Sequence, residues 1–522
     1  MKKFRKPNRR DILLGSSAIA LTASTVKGSF VSQAAAATPK QGGKLVYVGI
    51  LNSKHKSPEK AMHPYSGIEI RTNITYDRLT WVDEELGVQP QLATGWRAVE
   101  DDQTVWEVDI RQGVKFHDGR DMTTDDVVAS YNMHRDKKLG TSFAKKLLGS
   151  VEKVSSDKIR FHLTSSNSEL PWWMAEYRQA IMPADDLDKM GYSGVGTGPF
   201  KFAKIDVGRR VIYEANENYW GEGPYLEQLE AVTSSGADPA NAYLSGQVDA
   251  ILQADSAIVG HLGSRDDTEV SVAKSGDQIL MVLPKNEGSI FADVRIREAL
   301  SLALDREAIV KIAYGGYGWA SNDSHMHAAS PDFLPREPLR DIAKAKQLLA
   351  EAGYPDGITL PTFHYAPYSP ELGRVFQVAA QTVKEAGITM PIEEHPLSGY
   401  RKWRVESKDK TNLHRFAMGP VGSRNSAANL YRMARPAYNE SGYWHPSAEG
   451  DEYIALYNKA MQTGGTSERH AIYLEMQRLL QREVPGVFLT GRKELVVNRN
   501  TVHGLTSHAQ YWNTTFNNVW RD

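Results

Sequence analysis

The spacing of apolar and polar positions predicts two kinds of structure along the chain. In the first half, apolar residues recur at every second position, as in Trp106, Val108 and Ile110, which is typical of half-buried strands. After residue 293 the period changes. Apolar residues from Ile296 to Leu304 fall at i, i+3, i+4, i+7 and i+8, which predicts an amphipathic helix. We therefore expect a strand-rich first half and a second half in which helices alternate with strands, an α/β arrangement with a partly parallel sheet.

Turn and capping residues set the expected ends of these elements. Thr123 or Thr124 can cap a helix whose first turn holds two Asp residues, and Gly353 and Gly387 are placed to end two others. The other predicted helices are 239–248, 341–352, 371–386, 451–461 and 467–480, and the predicted strands are 42–50, 159–163, 211–213, 226–233, 359–364, 388–393 and 487–489. The aromatic segment 504–520 is expected to return to the first half.

The N-terminal segment 1–37 has the pattern of an export signal. Residues 1–10 hold six basic residues and no acid, and Asp11 is followed by an apolar stretch that begins at Ile12 and is too short to span a bilayer. A run of four alanines comes after it. The pair Arg9-Arg10 favours the twin-arginine route, although Ile12 and Leu14 depart from the usual residues of that signal. An ordinary secretory signal is the alternative.

Composition narrows the class of protein. The chain of 522 residues has no Cys, which excludes disulfides, thiolate metal sites, a thiol nucleophile and a lipid anchor at a cleavage-site Cys. The expected product is therefore free of a membrane anchor, in the periplasm of a Gram-negative bacterium. The net charge is −1 overall and +6 in residues 1–37, so residues 38–522 carry −7, which argues against nucleic-acid binding.

Six motifs in a fixed order are found behind this signal. They are Tyr76-Asp77-Arg78-Leu79, Gly113-Val114-Lys115-Phe116-His117-Asp118-Gly119, Gly196-Thr197-Gly198-Pro199-Phe200, Asn216-Glu217-Asn218-Tyr219-Trp220, Val294-Arg295-Ile296-Arg297-Glu298-Ala299-Leu300 with Asp305-Arg306, and Arg469 with Tyr473 and Gln477. Together they resemble the extracellular solute-binding proteins of family 5, which serve ABC importers of peptides, nickel and opines. The resemblance covers residues 42–522.

The resemblance implies a bilobed periplasmic-binding-protein clamshell of type II with an additional inserted lobe. The expected segments are 38–75, 198–283 and 493–522 for lobe Ia, 76–197 for lobe Ib and 284–492 for lobe II. It also implies a monomer that has no cofactor, closes around a peptide or small-molecule solute and delivers it to ABC permease subunits. The motifs themselves are mainly scaffold in the family.

The ligand-binding segment of lobe II departs from the peptide-binding pattern. Peptide-binding members resemble one another in an Asp that holds the α-amine, whereas the matching stretch here, 414–425, contains no acid and no Trp. Because a buried ammonium without a counter-charge is unfavourable, the stretch argues against a dipeptide. Its polar residues, above all Arg424, instead suit a carboxylate, a phosphate or a polyol in an opine-like solute. The predicted ligand-binding residues are Arg424, Ser423, Asn425, Gly422 and Arg415, with Trp403, Tyr400, Tyr65, Trp319 and Trp512 as aromatic lining.

Two alternatives from other functional classes stay open. The first is a nickel or metal-chelate receptor, because His325 and His327 lie two apart, but the ordinary expectation is a pair of surface histidines in a loop, and no metal site is assigned. The second is an exported hydrolase. The nucleophile, zinc-protease and phosphate-loop motifs are missing, so no catalytic residue is assigned, although a glycosidase-type carboxylate pair needs no motif. For the binding protein, the hinge is expected near Leu283-Pro284 and Arg492-Lys493.

Overall fold

Strands occur where the alternating segments predict them. The computed structural model describes residues 38–49, 69–136, 142–189, 193–206, 208–233, 238–274, 277–283, 285, 288–400, 417–421, 426–434 and 447–522. In chain order the strands are β1 (Lys44–Gly49), β2 (Thr80–Val82), β3 (Val88–Pro90), β4 (Ala93–Ala98), β5 (Val105–Ile110), β6 (Leu148–Ser155), β7 (Lys158–Leu163), β8 (Phe200–Asp206), β9 (Arg210–Ala215), β10 (Gln228–Thr233), β11 (Ala250–Leu252), β12 (Thr268–Val272), β13 (Gln278–Val282), β14 (Gly318–Ala320), β15 (Ile358–Thr359), β16 (Phe363–Tyr365), β17 (Ile388–Thr389), β18 (Ile392–Glu394), β19 (Ala417–Val421), β20 (Gly486–Arg492), β21 (Leu495–Arg499), β22 (Val502–His503) and β23 (Trp520–Arg521).

Helices dominate the region after residue 290. In chain order they are α1 (Glu69–Thr75), α2 (Thr124–His134), α3 (Ser142–Leu147), α4 (Leu170–Trp173), α5 (Pro239–Leu244), α6 (Ser256–Leu262), α7 (Val294–Ala303), α8 (Arg306–Ala313), α9 (Ile342–Glu351), α10 (Leu372–Thr382), α11 (Ser426–Ala434), α12 (Ala448–Gln462) and α13 (Thr466–Glu483), with short 3-10 helices at Ala184–Lys189, Ile290–Ala292, Val383–Ala386 and Tyr511–Asn513. Gly353 and Gly387 have φ angles of +94° and +81°, the left-handed conformation expected after a helix. Over the described residues, none of these helices combines the length and apolar character needed to cross a membrane.

A seven-stranded mixed sheet joins the beginning, middle and end of the chain. Its order is β12-β21-β11-β1-β10-β9-β8, with β1 parallel to both β10 and β11 and the other pairs antiparallel. The C-terminal segment 504–520 covers one face, where Phe516 stacks on Tyr47 with ring centroids 5.0 Å apart. The predicted return of this segment to the first half is therefore confirmed.

A smaller antiparallel sheet lies between the first and second strands of the seven-stranded sheet in sequence. Its order is β4-β5-β7-β6, and its apolar side packs under α2, where Tyr131 meets Phe161 edge to face at 4.8 Å. Thr123 caps α2 in a reciprocal capping box with Asp126, as the sequence predicts. The alternating positions of β5 and β7 supply the core, including a fully buried Val108.

The second half contains the sheet β14-β20-β13-β19, in which all pairs are antiparallel, and two parallel pairs, β15 with β17 and β16 with β18. The strands predicted at 359–364 and 388–393 are each divided into two short strands. Pro361 and Pro391 lie at the two interruptions, and a proline cannot donate a backbone hydrogen bond to a neighbouring strand. The expected partly parallel character is confined to these short pairs.

The sequence motifs build the interior of the molecule. The buried carboxylate of Asp77 accepts hydrogen bonds from Gln91 at 2.7 Å, Thr197 at 3.0 Å and the indole of Trp220 at 2.8 Å. Burial nevertheless raises the pKa of Asp77. A side chain at Gly198 would lie 2.6 Å from the carbonyl carbon of the last residue of α1, so this position requires glycine. These contacts give the motifs of Asp77, Gly198 and Trp220 a structural role in the interior.

The chain passes twice between the seven-stranded sheet and the sheet that contains β13 and β20. The first passage connects the end of β12 at Val272 to the start of β13 at Gln278, ahead of the Leu283-Pro284 pair expected from the sequence. The second passage, between β20 and β21, is at Lys493-Glu494 and shares Lys493 with the Arg492-Lys493 pair expected for the hinge, and the position of the hinge stays a prediction. Residues from Pro39 onward form one compact unit, and the limits of the three expected lobes stay predictions.

Candidate functional site

The two passages between the sheets run side by side. The amide of Ala273 donates to the carbonyl of Glu494 at 2.9 Å, and the amide of Arg492 donates to the carbonyl of Asp277 at 2.8 Å. These backbone bonds hold both connections in one antiparallel pair. Charged side chains from distant parts of the chain therefore meet where the two sheets join.

These side chains form a buried cluster with an excess of negative charge, which we call the acidic cluster: Asp277, Glu371 and Glu494 around Arg492. The guanidinium donates to Glu494 at 3.2 Å and to Asp277 at 3.5 Å. Glu371 precedes α10 and lies close enough to contribute its negative charge. The three acidic residues are between 2% and 8% exposed, so little solvent screens them.

Burial and the neighbouring carboxylates raise the pKa of Glu494, whereas Arg492 lowers it. Desolvation has the largest effect and raises the pKa of Glu494 to about 7, and the nearby carboxylates of Asp277 and Glu371 add to the rise. The positive charge of Arg492 opposes the rise without cancelling it, while the pKa of Arg492 itself is raised chiefly by Glu494. A further positive charge beside Glu494 would therefore be stabilised.

Several polar atoms around the cluster have unused hydrogen-bonding capacity. Within the described residues, no hydrogen bond reaches one carboxylate oxygen of Glu494, one of Glu371, the side-chain oxygen of Gln253 or the indole nitrogen of Trp319. Gln253 also has a positive φ angle of 54°, a strained conformation for a residue with a side chain. Buried polar groups are normally satisfied, so this concentration marks a place where a polar solute can supply partners.

A small pocket, too narrow to hold a water molecule, adjoins Glu494 on the side of the seven-stranded sheet. It is lined by Leu252, Gln253, Glu494, Leu495, Val496, Ser507, His508, Tyr511 and Thr514. His508 contributes no charge to it. Its Nε2 donates to the carbonyls of Val82 at 3.1 Å and Asp83 at 2.8 Å, and its Nδ1 accepts from the amide of Gln510 at 2.9 Å. Burial lowers the pKa of His508, which favours this neutral form.

The structure brings two of the predicted aromatic residues near this region and places a third elsewhere. Trp319 in β14 lies directly over Gly491, where an added Cβ would come within 2.1 Å of the indole ring. Trp512 is 8% exposed and packs against Tyr511, which lines the pocket. Tyr400 is 1% exposed and belongs to the apolar core of the second half, so it is a packing residue here rather than a lining residue.

The remaining predicted ligand-binding residues lie outside the described residues. They are Tyr65, Trp403, Arg415, Gly422, Ser423, Arg424 and Asn425. The residues on either side of 422–425, Val421 and Ser426, belong to the part of the chain that the structure describes. Val421 pairs with Gln278, the residue that follows Asp277 of the acidic cluster, and Ser426 lies 3.1 Å from the hydroxyl of Ser330. The predicted segment thus begins one peptide bond beyond a residue that is anchored beside the cluster.

The expectation of surface histidines at His325 and His327 is wrong. Both are buried, at 1% and 2% exposure, and the ring of His325 packs edge to face on Phe488 at 4.6 Å. Among the described residues, neither belongs to a group of three side chains able to hold a metal ion. The reason is local, because the loop that follows β14 folds into the second half rather than over its surface.

Comparison with known proteins agrees with this architecture. A family model described as "Bacterial extracellular solute-binding proteins, family 5 Middle" matches residues 87–439. Heme-binding protein A of Haemophilus influenzae is 27% identical over 457 residues, which cover 77% of this chain and 78% of that protein. Oligopeptide-binding protein AppA of Bacillus subtilis is 30% identical over 364 residues, 62% of this chain and 61% of that protein. A putative peptide binding protein AppA from Clostridium difficile has a similar fold, with a TM-score of 0.78, 18% identity and coverage of 92% of this chain and 100% of that one.

Proposed function

Because this chain belongs to the family 5 bacterial extracellular solute-binding proteins, we propose that it captures a peptide-sized or opine-like solute for an ABC importer. In this proposal the solute carries an amino group and an acidic group, and the permease subunits of the importer receive it. The observation that carries the proposal is the acidic cluster, in which buried carboxylates outnumber the guanidinium of Arg492.

The acidic cluster suits a cationic amino group. Among the described residues the carboxylates of the cluster outnumber its cations, and an ammonium beside Glu494 would add a positive charge and donate charge-assisted hydrogen bonds to the carboxylate oxygen that accepts none from them. The 414–425 segment has no acid for this purpose, so the cluster supplies the counter-charge from another part of the fold. Trp319 lies nearby and offers an aromatic face to the apolar or sugar part of the solute.

The acidic group of the solute is assigned to the segment that follows β19. Arg424 is the main candidate, since its guanidinium can bind a carboxylate or a phosphate with two parallel hydrogen bonds. Ser423, Asn425 and Arg415 would add further polar contacts, including contacts to a sugar or a phosphoryl group. An amine at one end and an acid at the other describe both short peptides and opine-like conjugates.

Solute capture in this proposal uses lobe closure about the two passages between the sheets. The passage from β12 to β13 and the passage from β20 to β21 are short, antiparallel to each other and joined by backbone hydrogen bonds, which suits a hinge. A solute that contacts groups on both sides binds the closed form better and shifts the population towards it. The contacts that form only on closure would then set the affinity.

Export completes the proposal. Segment 1–37 would direct the folded protein through the twin-arginine route into the periplasm, where it acts without an enzymatic step. The curated relatives are named for what they bind, heme and oligopeptides, which supports a binding role. Turnover of the solute by the purified protein would contradict it.

Native mass spectrometry of the protein purified from the periplasm, followed by denaturing release of its solute, tests the proposal. The expected product contains both an amine and an acid. Calorimetric titration with the released solute should then show affinity at least tenfold lower for Arg424→Ala and for Glu494→Gln. Glu385→Gln is the matched control, because Glu385 is 61% exposed and pairs with Arg340, and neither residue belongs to a passage between the sheets. An unchanged affinity for Arg424→Ala would remove this residue from the site, and a solute without an amine would remove the acidic cluster.

A further inference from the structure

A second group of chemically active side chains lies on the parallel strands β16 and β18. Residue pairing places His364 directly opposite Glu393. Because side chains alternate along an extended strand, Glu393 and His395 project from the same face. The amide of His395 donates to the carbonyl of Tyr365 at 2.8 Å, which continues the pairing beyond the end of β18. The backbone therefore brings two imidazoles and one carboxylate to one place.

The distances among these side chains match those of ligands around one metal ion. His364 Nδ1 is 2.9 Å from His395 Nε2. The oxygens of Glu393 lie 3.4 Å from His364 Nδ1 and 3.5 Å from His395 Nε2. In a tetrahedral zinc site with bonds of about 2.0–2.1 Å, neighbouring ligand atoms are separated by about 3.3 Å. One nitrogen of each histidine and one oxygen of Glu393 all lie within 4.8 Å of one another, so the 2.9 Å hydrogen bond between the imidazoles has to open by only about 0.4 Å to admit such an ion.

We propose that His364, Glu393 and His395 bind one divalent transition-metal ion of the zinc type. Two imidazole nitrogens with one carboxylate suit zinc, nickel or copper, whereas calcium and magnesium prefer sites made only of oxygen. The side chains are 22%, 55% and 16% exposed in that order, so an ion can reach them and solvent can complete its coordination. Tyr400 helps to hold the backbone of His364 in place, because its hydroxyl donates to the carbonyl of His364 at 2.8 Å.

This site is independent of the solute proposed above. It contains none of the residues of the acidic cluster, and it lies on a separate two-stranded pair. Its ligands come from two paired strands that are separated in sequence by α10, a 3-10 helix and β17, so a bound ion would add a link between two segments that are distant in sequence. We therefore expect the ion to stabilise this part of the second half, whether or not solute is present.

Calorimetric titration of Zn²⁺ into the untagged, metal-free protein tests this assignment. One ion should bind per chain, and the ion should raise the temperature of unfolding. His364→Gln combined with His395→Gln should abolish both effects. Glu393→Gln should weaken zinc binding about tenfold or more, because a ligand is lost while the histidine pair stays. Since Glu393 is the most exposed of the three, this variant also tests the site with little risk to folding.

A surface pair elsewhere provides the control. His162 lies 3.2 Å from Glu152, and both are about half exposed. Within the described residues, this pair belongs to no group of three metal-ligating side chains. His162→Gln should therefore leave zinc binding unchanged. Failure of the wild-type protein to bind Zn²⁺ in a one-to-one ratio, or full retention of that binding by the double histidine variant, would overturn the proposal.

Discussion

Replacing Glu494 by Gln should stabilise the solute-free protein at alkaline pH and change its stability little at pH 5. Burial and two neighbouring carboxylates raise the pKa of Glu494 from 4.5 to about 7. A rise of this size corresponds to about 3 kcal/mol of unfavourable ionisation in the folded state. The folded protein binds the proton more tightly than the unfolded chain, so this stability is fully present below pH 4.5 and is lost as the pH rises through about 7.

Glutamine avoids this loss because it is neutral at every pH. Its side-chain oxygen can still accept the hydrogen bond that Arg492 donates to Glu494 at 3.2 Å. The free energy of unfolding in urea, measured without solute at pH 5 and pH 8, should therefore rise relative to wild type by about 2–3 kcal/mol between the two values. Glu85→Gln removes an exposed carboxylate and should change stability by less than about 1 kcal/mol at either pH. Equal destabilisation by Glu494→Gln at both pH values would refute the reasoning.

Three further predictions concern other parts of the chain. Asp323→Ala should lower the free energy of unfolding in urea by about 3–5 kcal/mol, because it leaves two buried guanidiniums without their carboxylate; a loss below about 1 kcal/mol would contradict this. Gly491→Ala should displace the ring of Trp319, which an added Cβ would approach to 2.1 Å, and so change tryptophan emission and weaken solute binding; unchanged emission and affinity would contradict it. Conversion of Arg9 and Arg10 to Lys should block export in cell fractionation, whereas normal periplasmic accumulation would exclude the twin-arginine route.

Local chemistry explains which elements could be predicted from the sequence. The apolar period after residue 293 predicts α7, and Gly353 and Gly387 mark the ends of their helical segments, because these signals act within one or two turns. The apolar residues at 359–364 and 388–393 predict one continuous strand in each segment, despite a single proline in each. In the structure the prolines have the larger effect, since Pro361 and Pro391 interrupt the pairing and divide each segment into two short strands.

The acidic cluster could not be predicted in the same way. Asp277, Glu371 and Glu494 are charged residues of types that usually lie on the surface, and nothing close to each of them in sequence indicates that it is buried. They meet because the two connections between the sheets, β12 to β13 and β20 to β21, run side by side, and the fold as a whole determines this arrangement. The sequence does not predict the pair of His364 and His395 for the same reason, since the parallel pairing of β16 and β18 brings these residues together. His325 and His327, by contrast, are close in sequence and are buried.

The acidic cluster also limits which solutes the proposed site can accept. At pH 7 Glu494 is about half protonated, so a cationic solute must displace a proton from it, and the affinity for such a solute should increase as the pH rises through about 7. An anionic solute without an amine would meet growing repulsion over the same range. Relief of the unfavourable ionisation of Glu494, about 3 kcal/mol, corresponds to roughly a hundredfold in affinity for a solute that carries a positive group. The charge excess that destabilises the empty site is therefore able to select solutes that carry a positive group.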